Sequence, residues 1–395
     1  MKNQNDDLSK KIKSVIESFV NKKKAGGCNV LIFKDGEEAA YCDCGFRDIG
    51  QKLPFSRDTI FRLYSQTKPI TAAATVLLAS RGKLDLSAWL SDYLEDFSEM
   101  FVNDKNGRRK AANHITVQNL LDMSAGLAYP DDRFEGGKQS AVLFEEIDRR
   151  LHSDSPMTTM EFAGRASKLD LCFEPGTHFL YGICADVLGA LVEKISEKSF
   201  GQFLRENFFE PLEMNDTGFF VSPEKSARFA KAYNNVKGNL EENITNHLGN
   251  IYERNKNPAF ESGGAGLVST VDDYMNFATM LMNGGMFKGK KIMEKSAVDY
   301  LTKHSSKNLS SDLQSSFEWM KGYSYSNLMR HCVDCNEAHV ICKTGEYGWD
   351  GWMGSFFSND PESKISFVMG VQVPGVFQMG SMARQIKNLV TSYFS

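Results

Sequence analysis

Strand-like segments lie near both ends of this chain, and helical patterns fill the long stretch between them. The two N-terminal segments are joined by the pair Asp35-Gly36, a strong signal for a hairpin turn. An isolated strand leaves its backbone donors and acceptors unpaired, so we expect the segments from both ends to complete one sheet. The strand-like segments are residues 29–33, 38–44, 353–358 and 364–373.

Apolar residues spaced three or four positions apart predict helices through the middle of the chain. The predicted class is α+β, with an antiparallel sheet domain of residues 1–90 and 260–395 flanked by helices. A mostly helical domain of residues 91–259 is inserted into it, and the active site lies in the cleft between the two. The predicted helices are residues 8–22, 68–81, 117–123, 141–151, 159–168, 185–196, 200–209 and 378–394.

The charge balance of the chain argues against nucleic acids as partners. Against 46 lysine and arginine residues stand 50 aspartate and glutamate residues, so no basic field is present to hold a phosphate backbone. No apolar run reaches the roughly 18 residues of a membrane span, and the first residues lack the apolar core of a signal peptide. We therefore expect a cytoplasmic protein with neither nucleic-acid nor membrane partners, and its oligomeric state stays open.

A group of metal-ligand residue types lies near the C-terminal strands. Three thiolates and one imidazole would be available to a zinc ion. A strand or turn that contains cysteines is the simpler interpretation, and we predict no cofactor. The eight cysteines of the chain are too few for a disulfide scaffold and are expected to be reduced. The candidate ligands are Cys332, Cys335, His339 and Cys342.

Ser-x-x-Lys occurs three times, and the surroundings separate the three copies. The nucleophile signature of α/β-hydrolases, Gly-x-Ser-x-Gly, is absent from the sequence. Ser80 lies at the end of a predicted helix, and Ser222 lies in a polar loop. Ser65 alone stands at the start of a helix, residues 68–81, that is apolar nearly all round and therefore buried.

Ser65 and Lys68 are three residues apart on one helical face, so their side chains can touch. Desolvation among apolar neighbours favours the neutral amine, which is a usable general base for a hydroxyl group. The N-terminus of the helix also favours negative charge that develops near Ser65. The alternative is a capping serine beside a solvated lysine.

A tyrosine further along the chain is a second candidate for chemistry. Tyr181 follows the turn pair Pro175-Gly176 and directly precedes a predicted helix, so its phenol can project into a cleft. Taken alone, a tyrosine in such a place is more often a packing residue with a satisfied hydroxyl group.

Five motifs follow one another along the chain: residues 64–68, 115–127, 175–181, 211–219 and 263–270. In this order they resemble the serine β-lactamase-like superfamily on its class C side, and most closely the family VIII carboxylesterases and related acyltransferases. The resemblance covers residues 8–395 and implies a β-lactamase/transpeptidase-like fold. It also implies that Ser65 is the acylated nucleophile and that Lys68 and Tyr181 share the proton transfers, without a metal ion.

The chain departs from this superfamily at one position of the tyrosine motif. β-Lactamases of the class carry Tyr-x-Asn, whereas Ile183 stands at the third position here. The missing amide removes a donor for a carbonyl group of a β-lactam or a peptide. This weakens the lactamase interpretation and is tolerated in the esterase branch.

Two registers are open for the third motif of the superfamily. Trp349-Asp350-Gly351 stands where the esterase branch has a Trp-x-Gly triplet, and we favour this register. The backbone N–H of Trp352 would then join that of Ser65 as the oxyanion hole.

The other register uses a Lys-Thr-Gly triplet, as lactamases do. Lys343-Thr344-Gly345 then forms the motif, and Glu346 takes the oxyanion-hole position. In this case Lys343 would meet a carboxylate of the substrate.

Taken together, these features predict a serine hydrolase of carboxylic esters, with short acyl chains and a Ser65 acyl-enzyme. Its partner would be a small-molecule ester or acyl substrate, with acyl transfer as a variation of the same reaction. Tyr129 and Tyr347 are the predicted substrate-binding residues, because they lie in predicted loops near the motifs. The alternatives are a β-lactamase or D-alanyl-D-alanine carboxypeptidase, and an inactive binding protein on the same scaffold.

Overall fold

Strands from both ends of the chain form one antiparallel sheet. The computed structural model describes residues 2–303 and 317–395. In chain order, the strands are β1 (Gly27–Lys34), β2 (Glu37–Asp48), β3 (Leu53–Pro54), β4 (Phe61–Arg62), β5 (Phe101–Asp104), β6 (Gly107–Lys110), β7 (Tyr233–Val236), β8 (Asn239–Glu242), β9 (Val268–Ser269), β10 (Met286–Phe287), β11 (Lys290–Lys291), β12 (Tyr323–Ser326), β13 (Met329–Cys332), β14 (Tyr347–Asp350), β15 (Phe356–Asp360) and β16 (Ile365–Val371). Within the described residues, eight of these strands form the main sheet, in the order β12-β13-β14-β15-β16-β1-β2-β3.

Helices cover both faces of this sheet. They are α1 (Lys2–Asn21), α2 (Lys68–Ser80), α3 (Val117–Leu121), α4 (Glu135–Arg150), α5 (Thr159–Ala166), α6 (Cys184–Ser196), α7 (Phe200–Leu204), α8 (Val271–Met282), α9 (Lys295–Lys303) and α10 (Val376–Tyr393). In the described part of the chain, none of these helices combines the length and the apolar composition needed to cross a bilayer.

The pairing of β1 with β16 brings the two ends of the chain together at the centre of the sheet. The register runs from Cys28 opposite Val371 to Lys34 opposite Ile365. Successive residues of a strand point to opposite faces. Accordingly, the neighbours of Leu31 pack against α1 and α10, whereas Leu31 itself packs into the larger core that includes α2.

The predicted α+β class, with an antiparallel sheet from both ends and flanking helices, is confirmed. Helices α3 to α7 and the hairpins β5–β6 and β7–β8 all fall within residues 91–259. The division into a sheet domain and an inserted helical domain stays a prediction.

One predicted strand boundary is wrong. The strand expected at residues 353–358 is β15, which runs from Phe356 to Asp360, and the turn follows it at residues 361–364. Asn359 lies beyond the predicted end of the strand, but its side-chain amide is buried and donates to Ala278 O at 2.9 Å and to Tyr347 Oη at 3.0 Å. Hydrogen bonds from distant residues therefore keep a polar residue within a strand.

Candidate active site

Ser65 lies in a 3-10 turn, Tyr64–Thr67, that leads directly into α2. The preceding residue, Tyr64, has a φ of +45°, in the left-handed region that bulky residues rarely adopt. Tyr274 in α8 holds the turn from outside, because its hydroxyl group donates to Gln66 O at 2.8 Å. The strained backbone at Tyr64, directly before Ser65, is thus held by the surrounding core.

Lys68, the first residue of α2, is fully buried. Its Nζ donates hydrogen bonds to Ser65 Oγ at 3.2 Å, Tyr129 Oη at 3.1 Å and Gly264 O at 2.8 Å. Three polar oxygens therefore surround this nitrogen, as many as a lysine can donate to. The contact expected between Ser65 and Lys68 is present, at a distance that permits proton transfer.

Tyr181 also lies beside Lys68. The Lys68 Nζ is 4.7 Å from the centroid of the Tyr181 ring, within the range of a cation–π interaction. The Tyr181 hydroxyl oxygen accepts a hydrogen bond of 3.0 Å from the indole Nε1 of Trp349. The structure therefore brings the three predicted catalytic residues, Ser65, Lys68 and Tyr181, together around one amine.

Tyr129, which was predicted to bind substrate, contacts Lys68 directly. Its hydroxyl oxygen is an acceptor for Lys68, and its ring lies 5.9 Å from the ring of Tyr181. Burial raises the pKa of Tyr129 well above its ordinary value, so the group is a neutral phenol. A neutral phenol here helps to position the lysine amine.

Asp186 is a further site residue that sequence reasoning did not identify, and it contacts Gly264 of the motif at residues 263–270. The buried carboxylate of Asp186 accepts hydrogen bonds from Ser262 Oγ at 2.5 Å and from Gly264 N at 3.0 Å. Burial raises the pKa of Asp186, with the Lys68 charge acting in the opposite direction. Asp186 thus fixes the loop whose Gly264 carbonyl accepts a hydrogen bond from Lys68.

Only glycine fits at position 264. A Cβ there would lie 2.7 Å from Asp186 Oδ2 and 2.8 Å from the hydroxyl oxygen of Tyr129. Both distances are shorter than van der Waals contact, so a larger residue would displace the carboxylate or the phenol.

The favoured third motif lies at the end of β14, beside the 3-10 turn that contains Ser65. Trp349 contacts Tyr181, as described, and the Asp350 carboxylate pairs with Arg330 Nη1 at 2.6 Å. At Gly351 the chain turns, and a Cβ there would lie 2.4 Å from Leu63 O.

The residue after this motif, Trp352, packs near Ser65. The Trp352 ring contacts the Tyr64 ring edge-on, with a centroid distance of 5.1 Å. This places Trp352 beside the residue that precedes Ser65. The predicted role of the Trp352 N–H in an oxyanion hole stays a prediction.

The alternative register lies in the hairpin loop between β13 and β14. Lys343 is exposed, and its Nζ is 3.5 Å from a Glu362 carboxylate oxygen. Thr344 Oγ1 lies 3.8 Å from Cys335 Sγ, and Gly345 has a φ of +93° in the loop.

Glu346, the last residue of that register, is fully buried. It lies 2.9 Å from Lys387 Nζ and 3.7 Å from Arg330 Nη2. Burial acts to raise the pKa of Glu346, but the charges of Lys387 and Arg330 outweigh it and hold the pKa below its usual value. Glu346 is therefore part of a buried ion cluster beneath the sheet.

Tyr347, the second predicted substrate-binding residue, lies in the interior. Its side chain is 2% exposed, and its ring packs edge-on against Phe357. The Asn359 amide donates to its hydroxyl oxygen at 3.0 Å. The structure thus places Tyr347 in the core rather than on an open wall.

Aromatic side chains from distant segments surround the pair formed by Tyr181 and Trp349. Phe317 lies 5.6 Å from the Tyr181 ring, and Tyr325 lies 4.8 Å from the Trp349 ring. Trp319 adds a further contact with Trp349 at 6.1 Å. This side of the site is therefore apolar, as a site for a neutral acyl group requires.

His247 is a neighbour of the site that no sequence motif pointed to. Its ring stacks on Trp352 at a centroid distance of 3.9 Å and lies 5.8 Å from the Tyr64 ring. Burial lowers the pKa of His247 to about 4, so the imidazole is neutral near pH 7.

The predicted zinc ligands are brought together only in part. The sulfur atoms of Cys332, Cys335 and Cys342 lie within 4.8 Å of one another. His339 is exposed and lies outside this group. The cluster occupies the loop that follows β13 and does not touch Ser65.

Comparisons with known proteins identify the family of this chain. The family model for beta-lactamase matches residues 12–390. Esterase EstB of Burkholderia gladioli is 27% identical over 281 residues, which cover 68% of this chain and 68% of that protein.

Solved structures share the fold along almost the whole chain. EstCE1, a hydrolase with promiscuous acyltransferase activity, has a TM-score of 0.82 at 23% identity and covers 98% of this chain and 99% of its own. Unliganded simvastatin synthase (LovD) from Aspergillus terreus has a TM-score of 0.79 at 19% identity, with 96% and 97% covered. The resemblance that the five motifs predict is confirmed. Because the family match spans nearly all of its length, the chain belongs to the beta-lactamase family.

Proposed function

We propose that this protein is a serine hydrolase that cleaves short-chain carboxylic esters through an acyl-enzyme on Ser65. The observation that carries the proposal is the 3.2 Å contact between Lys68 Nζ and Ser65 Oγ, with the Tyr181 phenol beside the same amine. The match to the beta-lactamase family and the likeness to an esterase support a reaction of acyl compounds.

In the first half of the reaction, the neutral form of Lys68 takes the proton of Ser65 while Oγ attacks the ester carbonyl carbon. The carbonyl oxygen becomes an oxyanion that accepts hydrogen bonds from the backbone N–H groups of Ser65 and Trp352. The Tyr181 oxygen accepts from the Trp349 indole, so its own proton is free to reach the leaving alkoxide. The alcohol departs and leaves an ester of Ser65.

In the second half, a water molecule attacks the acyl carbon and loses a proton to the Lys68 and Tyr181 pair. Ser65 recovers its proton as the carboxylic acid leaves. An alcohol that enters the same position takes the acyl group instead, so acyl transfer needs no additional residue. Both reactions use a small-molecule substrate and no metal ion or organic cofactor.

The ester is favoured over the β-lactam because of the third motif. Trp349 contacts Tyr181 at the site, whereas Lys343, the cation that would meet a substrate carboxylate, lies at the surface beside Glu362. We expect turnover of p-nitrophenyl acetate and butyrate to exceed that of a chromogenic cephalosporin. Faster turnover of the cephalosporin would favour the lactamase alternative.

The nucleophile is tested with matched serine variants. We expect Ser65→Ala to abolish ester hydrolysis and Ser80→Ala, in a second Ser-x-x-Lys sequence on the protein surface, to retain it. Intact-protein mass spectrometry should detect an acyl adduct on the wild-type chain and none on Ser65→Ala. Equal turnover by wild type and Ser65→Ala would exclude the mechanism, and no turnover of any ester, amide or lactam by the wild type would favour a binding protein.

A further inference from the structure

Three cysteine side chains converge at one end of the sheet, away from the catalytic serine. Cys332 is the last residue of β13, and Cys335 and Cys342 lie in the loop that connects this strand to β14. The Sγ of Cys332 is 3.5 Å from that of Cys335 and 3.6 Å from that of Cys342. The proposed reaction on Ser65 uses none of them.

The sulfur–sulfur distances match a metal site better than a disulfide. A disulfide bond is about 2.05 Å long, and three cysteines cannot all be paired in one molecule. At a Zn–S distance of about 2.3 Å, two sulfur ligands of a tetrahedral zinc ion lie about 3.8 Å apart. The observed 3.5 and 3.6 Å are close to this separation.

The backbone holds the three thiols in place before any ion binds. Cys332 N donates to Glu346 O at 2.7 Å, and Gly345 N donates to Cys332 O at 2.8 Å. Within the loop, Val340 N donates to Cys335 O at 3.4 Å. These hydrogen bonds already hold the two ends of the loop together. Binding of an ion there therefore causes little further loss of chain entropy.

Part of the cluster is accessible to solvent, where a water molecule can complete the coordination of an ion. Cys335 is half-buried, which leaves one side of the cluster open to solvent.

We propose that Cys332, Cys335 and Cys342 form a zinc-binding site whose fourth coordination position is occupied by water. As each bond between sulfur and zinc forms, the thiol releases its proton to the solvent, so binding of one zinc ion releases about three protons. Thiolates prefer zinc to hard cations such as Mg²⁺ and Ca²⁺. The ion joins both ends of the loop between β13 and β14 and thereby stabilises the strand that bears Trp349.

The test uses the full chain, purified with a reductant, stripped with a chelator and then incubated with ZnCl₂. After desalting, elemental analysis should find one zinc ion per chain. With Co²⁺ in place of zinc, a sulfur-to-cobalt charge-transfer band should appear, which reports thiolate ligands independently of catalysis. Zinc should also raise the denaturant midpoint of unfolding.

Single variants separate the site from adventitious binding. Cys335→Ser, at a half-buried position where the fold should tolerate it, should weaken zinc binding by at least about 100-fold, since loss of even an outer partner of a ligand costs about 10–100-fold. Cys44→Ser, a half-buried cysteine on β2, and His339→Ala should bind zinc as the wild type does.

Four results would overturn the proposal. They are less than half an equivalent of zinc on the wild type, unchanged affinity in Cys335→Ser, a disulfide among the three cysteines in the protein as isolated, and a loss of affinity in His339→Ala that equals the loss in Cys335→Ser. The last result would replace the water molecule with an imidazole.

Discussion

The indole Nε1 of Trp349 and the hydroxyl oxygen of Tyr181, 168 residues apart in the chain, are joined by a hydrogen bond of 3.0 Å. An indole can only donate, so the phenol oxygen is the acceptor. The bond orients the phenol while its own proton remains available to the reacting atoms. In the proposed mechanism, Trp349 therefore positions Tyr181.

This relationship predicts a non-additive pair of variants. Tyr181→Phe should lower kcat by about 100-fold, within the range of general acid–base catalysis, with a smaller change in KM. Trp349→Phe keeps an aromatic ring but loses the donor, so it should lower kcat by about tenfold. The double variant should be no slower than Tyr181→Phe, as measured with p-nitrophenyl butyrate. Losses that multiply would show that Trp349 acts independently of Tyr181.

Gly264→Ala should impair catalysis through the lysine. The added methyl group would collide with the Asp186 carboxylate and the Tyr129 hydroxyl group. The Gly264 carbonyl, which accepts a hydrogen bond from Lys68, would then shift. We expect a loss of about 100-fold in kcat/KM, the cost of a displacement of about 1 Å in an active site. Gly218→Ala is the matched control, because the nearest atom to its Cβ lies 3.9 Å away. Equal effects of the two substitutions would contradict this account.

His247 makes the fold sensitive to acid. Its pKa is lowered from 6.5 to about 4 by burial, so between these values the unfolded chain binds a proton that the folded chain does not. The contribution of His247 to stability is therefore present above pH 6.5 and is lost as the pH falls toward 4.

The comparison with His247→Gln measures this effect. Relative to the variant, the wild type should lose about 2–3 kcal/mol of unfolding free energy between pH 7.5 and pH 4.5. Asp273, whose pKa is raised by burial to about 6, acts in the opposite direction, but it is common to both proteins and cancels. Urea titrations at both pH values give the difference, and parallel pH profiles would disprove the assignment.

Replacing one partner of the buried ion pair of Glu346 and Lys387 should lower the unfolding free energy more than replacing both. Their charged atoms are 2.9 Å apart, with side-chain exposures of 0% and 7%. Lys387→Met removes the nearer cation and leaves Arg330, at 3.7 Å, as a more distant one, and we expect a loss of about 3–5 kcal/mol in unfolding free energy. Adding Glu346→Gln should restore part of this loss. A double variant as unstable as the sum of the two single variants would contradict the coupling.

Local patterns predicted the contact between Ser65 and Lys68, because the two residues are close together in the sequence. Ser65 and Lys68 occupy adjacent turns at one helix start, so spacing alone places them in contact. Tyr129 could not be assigned in this way. Its hydroxyl group meets Lys68 across 61 residues of chain, and no local pattern records such a contact.

The strands β12, β13 and β14 were not predicted, because each is only four residues long and a four-residue segment carries little periodicity. Tyr347 was expected in a loop for this reason, whereas pairing with β15 buries it. The shifted boundary of β15 has a similar origin, since the Asn359 amide donates its hydrogen bonds to acceptors in α8 and β14.

The central position of β16 has a consequence for the order of events during synthesis. Phe61, which leads into the Ser65 turn, packs closely against Gly370 of β16, where a Cβ would lie 2.5 Å from its ring. Ser65 is made early, but the strand that packs behind its turn is made about 300 residues later. We therefore expect a nascent chain that lacks residues 365–371 to leave this turn unsupported, and the proposed ester hydrolysis to begin only after these residues have left the ribosome.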